Sequence, residues 1–187
     1  MKHLICSIAI LMALTPFAFA QKLTNAEPEF VGQVLLVVDG DTPAQQLEKQ
    51  KASIVAKADI GLAILGVRSG KEMNIVKGAA SPVRTSKRTN VRLIVKVGDN
   101  SKDPTDIVNL FKMQQDKGKD KGKDKRVLIV AKVAVNKSSS LDIEMLHFKA
   151  SKYGTGSFLL ELPEMEPGEY ALTLEGSRGV FNLFGVD

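Results

Sequence analysis

Of the residue types that do acid, base or nucleophilic work, this chain has few. His147 is the only histidine beyond His3, and the one cysteine, Cys6, falls in the first twenty residues. Cysteine nucleophiles and zinc sites built from cysteine or clustered histidine therefore have no raw material. A Ser-His-Asp triad would have to use His147 as its base, but "MLHFK" reads as an alternating apolar strand, where a half-buried structural histidine is expected. No G-x-S-x-G context accompanies it. Carboxylate pairs are more plentiful. Asp142 and Glu144 share a face if 140–150 is a strand, and Glu161, Glu164, Glu166 and Glu169 cluster around one turn. Such pairs can hydrolyse glycosides, yet outward acids on strands look the same. With two tyrosines and no tryptophan, sugar-stacking platforms are scarce.

Two aspartate-rich turns, "DGD" (39–41) and "GDN" (98–100), offer oxygen atoms but lack the twelve-residue calcium loop with its terminal glutamate. Turn formation explains them, and no phosphate-binding glycine loop occurs. The expectation is a non-enzyme with no catalytic residue, metal or cofactor.

Charge is the remaining chemistry. The formal net charge is +5, or +4 without Lys2, and it is uneven. Arg68 to Lys96 holds eight bases and one acid, whereas Asp142 to Asp187 holds eight acids and three bases. Within the basic run, Arg84, Lys87, Arg88 and Arg92 form the candidate binding surface, suited to an anionic glycan or lipid headgroup. The tract "DKGKDKGKDKR" (116–126) is more conspicuous but less suited. Its bases are interleaved with aspartates, and it has no aromatics for stacking on bases. A nucleic-acid partner is not expected.

The elements that must position these groups are strands. "FVGQVLLVV" (30–38), "GLAILGV" (61–67), "EMNIVKG" (72–78), "VRLIVKV" (91–97), "RVLIVAKVAV" (126–135), "SLDIEMLHFKA" (140–150), "GSFLLEL" (156–162), "EYALTLEG" (169–176) and "VFNLFGV" (180–186) are short apolar or alternating runs separated by turns. Residues 50–56 also lean toward a strand, with a helix as the rival. "TDIVNLFKM" (105–113) fits a short helix or a strand. No βαβ rhythm is present, so an all-β antiparallel β-sandwich is predicted, with a long polar loop near 114–126 that has nothing to bury. Pro167-Gly168 turns the chain into a strand near Tyr170. In immunoglobulin-like sandwiches a tyrosine placed there bonds its hydroxyl to backbone a few residues upstream, and these three residues are given that structural role.

The first twenty residues have a basic start, an apolar stretch interrupted by Pro16, and Ala18-Phe19-Ala20 at the end. This is the pattern of a signal peptide (1–20), leaving residues 21–187 as a single β-sandwich domain without cysteine, periplasmic or extracellular. No later run is long and apolar enough for a transmembrane helix.

Several stretches ("LEKQKA" at 47–52, "KGAASPVR" at 77–84, "GDNSKDP" at 98–104, "KYGTGSFLLEL" at 152–162 and "MEPGEYALTL" at 165–174) resemble a group of uncharacterised exported proteins of Bacteroidetes. The resemblance implies export and a sandwich fold, and no activity. The reading is an exported non-catalytic binding or structural protein of the bacterial envelope, whose partner is an anionic glycan or another envelope protein. The alternatives are a carboxylate-dependent glycan hydrolase and a polyanion-binding surface protein.

Overall fold

The computed structural model describes residues 27–37, 44–58, 70–116, 124–134, 137–140, 143 and 145–187. These form two sheets. The first has five strands in the order β11 (Lys149–Tyr153), β12 (Ser157–Glu161), β7 (Arg92–Lys96), β1 (Val34–Val37) and β2 (Gln45–Gln46). The second follows the path β3 (Glu48–Lys51), β14 (Val180–Val186), β13 (Gly168–Leu174), β8 (Val108–Asp116), β9 (Lys125–Ala134), β5 (Gly70–Lys77) and β4 (Ser53–Ala58). Off this path, β10 (Lys137–Ser140) joins β9 antiparallel, and β6 (Arg84–Thr85) joins β14 in parallel. The other pairings between named strands are antiparallel. The protein is an all-β antiparallel sandwich.

The period-2 pattern explains how the sheets close on each other. Val34, Leu36, Leu93, Val95, Phe158 and Leu160 of the first sheet pack against Leu110, Leu172, Phe184 and Val186 of the second. On the other face of the second sheet, Phe111, Ala171, Phe181 and Leu183 pack with Val76 of β5 and Leu128 of β9. The second sheet therefore curls, so that β5 and β9 cover the back of β13 and β14. Strands buried on both faces read as nearly continuous apolar runs, which is why "VFNLFGV" scarcely alternates. The curl hinges on β8. Its Val108–Met113 portion pairs with β13, and Gln114–Asp116 pairs with β9.

Three local expectations change. The ambiguous 105–113 run is both helix and strand. Asp103 accepts from the Thr105 amide at 2.8 Å and caps α1 (Pro104–Ile107), after which β8 begins at once. The run 140–150 is not one continuous strand among its described residues. Met145 makes a single bridge to Phe111, Leu146 donates to the Leu110 carbonyl (2.8 Å), and β11 starts only at Lys149. The polar loop is narrower than 114–126. Residues 114–116 and 125–126 are paired strand, with Asp116 opposite Lys125, because Arg126 has carboxylate and carbonyl partners that hold it in the sheet. Residues 117–123 lie outside the described residues, as do the "DGD" turn and the apolar run 61–67.

Candidate functional site

At one end of the sandwich, three segments near the sheet boundary come together, and a cleft opens among them. Residues 145–148 run from the bridge to β8 into β11. Residues 162–165 leave β12 and lead toward β13. Residues 88–91 lead into β7 and are tied to the second segment by bonds from Leu162 N to Val91 O (2.9 Å) and from Met165 N to Arg88 O (2.7 Å). Asn90 takes a left-handed backbone (φ 56°), a conformation that asparagine tolerates better than most residues and that turns the chain into β7. The cleft has a volume of about 620 Å³, within the range that holds a sugar-sized ligand.

The polar lining comes from a cross-strand row. Glu161 stands opposite Lys149 on one side and Arg92 on the other. Two cations and one carboxylate leave a formal surplus of one positive charge, whatever pairs form within the row. His147 and Asn90 add groups able to bond anions or hydroxyls, while Phe148, Leu162 and Pro163 supply an apolar wall. His147 is exposed here and not half-buried in a strand, because its segment is the crossing and not the sheet. The arrangement can hold a ring against an apolar surface while cations meet its charged substituent. It presents no nucleophile–base pair.

The four residues of the candidate basic surface separate. Arg92 lines the cleft. Arg84 turns inward, pairing with Glu169 and Asp187 (2.5 and 2.7 Å), and these carboxylates, Glu169 first, hold its guanidinium above its usual range. Arg88 donates from Nε to the Asp187 carbonyl at 3.1 Å. Lys87 is exposed in the turn after β6, where its amide donates to Thr85 Oγ1. Arg84 and Arg88 thus anchor the Asp187 end, and Arg92 alone of the four lines the cleft.

Arg84 also belongs to a buried ionic chain. Glu169, 1 % exposed, accepts from Arg84 at Oε1 and from the Ser81 amide at Oε2 (2.7 Å), and Oε2 also stands 3.6 Å from Arg126. Arg126 is fully buried, forked onto Glu48 (2.9 and 3.1 Å) and bonded to the Lys77 and Gly78 carbonyls (2.9 and 3.2 Å). Burial raises the Glu48 pKa, but hydrogen bonds from Arg126, Gln50 and Ser81 outweigh this and hold the carboxyl below its usual range. Sequence reading missed Arg126 because it closes a lysine tract. The signal available was its place at the head of "RVLIV", where a strand begins.

Tyr170 makes structural contacts. The Tyr170 hydroxyl donates to the Glu166 carbonyl at 2.7 Å, and its ring stacks on Phe184 with centroids 5.5 Å apart. Pro167 is exposed, and Gly168 opens β13. Glu166 meets Lys112 at 2.5 Å, which lowers its pKa, the wrong direction for a general acid. Asp142 and Glu144 lie outside the described residues. In "GDN", Asp99 accepts from the Ser101 amide (2.9 Å) and Asn100 donates to the Ser157 carbonyl (3.1 Å), which is turn chemistry. Among the described residues, no three His, Asp or Glu side chains converge as metal ligands, and no helix is long and apolar enough to cross a membrane.

Comparison of the chain with protein-family models, with characterised proteins and with solved structures finds no match in any of the three.

Proposed function

We propose that the protein is a non-catalytic binding module, exported to the bacterial envelope, that holds an anionic glycan in the cleft at Arg92, His147 and Lys149. The observation that carries this reading is the meeting of two cations across Glu161 with an apolar wall of Phe148, Leu162 and Pro163. Sulfated or uronic sugars present the matching pair of surfaces, a charged group beside a ring with apolar faces. The signal-like leader supports export, and the Tyr170 bond to Glu166 supports an immunoglobulin-like reading of the sandwich.

The test is binding of residues 21–187 to heparin and to polygalacturonate over a salt series. Binding should weaken as salt rises, since the contacts are charged and near the surface. Arg92→Ser with Lys149→Ser should lower affinity by about tenfold or more, equivalent to roughly 1.4 kcal/mol. Unchanged affinity in that double variant would remove the cleft from the account.

A further inference from the structure

At the opposite end of the β11–β12 hairpin, the turn 154–156 closes around the carboxylate of Glu27. Its Oε1 accepts from Ser157 Oγ (2.7 Å), the Gly156 amide (3.0 Å) and Lys96 Nζ (2.8 Å). Its Oε2 accepts longer bonds from the Thr155 amide and hydroxyl (both 3.4 Å). Ser157 is fully buried, so its hydroxyl has little access to water. Gly154 has φ 57°, and a Cβ there would stand 2.5 Å from Oε2. The missing side chain is the space that the carboxylate fills.

The backbone of the turn is held by contacts other than Glu27. Ser157 lies directly opposite Lys96 in the β12–β7 ladder and opposite Tyr153 in the hairpin. The Val97 and Gly98 amides both donate to the Gly156 carbonyl (2.9 Å each), which fixes the turn from its other side. Backbone amides, a buried hydroxyl and an ammonium group that converge on one carboxylate form an anion site of high local field.

We propose that this turn is a built carboxylate-binding site which the chain fills in cis with Glu27, so that the N-terminal segment is a tethered ligand and an emptied site takes a small carboxylate. The proposal is independent of the Arg92 cleft and stands or falls separately.

The probe is sodium acetate, titrated into Glu27→Ala against sodium chloride at equal ionic strength, following the Thr155 and Gly156 amide resonances. Saturable movement in the millimolar range is expected with acetate in the variant. Little is expected in wild type or with chloride, and Lys96→Ser in the Glu27→Ala background should weaken it by about tenfold or more. Equal movement with chloride, equal movement in wild type, or none at all would overturn the proposal. If Glu27→Ala does not fold, Glu27→Gln serves. Its amide keeps an oxygen for Ser157 and Gly156 but loses the ion pair, so acetate should displace it at higher concentration. Amides that stay still in that variant would count equally against the site.

Discussion

Ser157 has no exposed surface, and its hydroxyl is committed to the carboxylate of Glu27. That contact, with the Lys96 ammonium first and the Gly156 and Thr155 amides behind it, holds the Glu27 pKa down from 4.5 to about 2. The ionised carboxylate is thus favoured by the fold. The stability it contributes is complete above about pH 4.5 and is lost as pH falls toward 2. An NMR titration of the Gly156 amide should show its inflection near pH 2, and an inflection near 4.5 would mean that the turn does not hold the carboxylate. Little of this was legible beforehand. "KYGTGS" carries two glycines suited to a turn, but no local rule links it to a glutamate more than a hundred residues away. Only the β12–β7 register brings Lys96 to the same place. Tyr170 was easier to read, since its partner lies four residues upstream and the Pro-Gly turn sets the approach.

At the scale of elements, the strand runs were readable because apolar alternation survives translation into packing, as in Leu93 and Val95 facing the first core. The errors came where tertiary partners override local pattern. The 140–150 run alternates well, yet 145–148 bridges two sheets, and His147 is exposed as a result. Arg126 illustrates the opposite case, a charge inside a polar tract that is drawn into the sheet by Glu48 and two carbonyls. Its removal would leave Glu48 unpaired and Glu169 short of one neighbouring cation. Arg126→Ala should therefore destabilise the fold by about 3–5 kcal/mol in urea unfolding. A loss near zero would show that β3, β9 and β13 are held together by their apolar contacts alone.

For the whole molecule, folding brings part of the chain's uneven charge together. The basic stretch and the acidic C-terminal third are paired through Arg84 with Glu169 and Asp187, and Arg92 stands opposite Glu161. Among the described residues the basic stretch meets the acidic C-terminal third at Arg84, and Arg92 lines a cleft with one more cation than carboxylate. The cleft was only half legible. Arg92 belonged to the basic run, but Lys149, Asn90 and Phe148 join it through sheet order and chain crossings that no sequence spacing encodes. Chemical-shift mapping of residues 21–187 with a sulfated heparin oligosaccharide tests the account most directly. It predicts saturable movement centred on Asn90, Arg92, Phe148 and Lys149, fading as salt is raised. Movement centred instead on the lysines of 117–123, or no saturable movement anywhere, would contradict it.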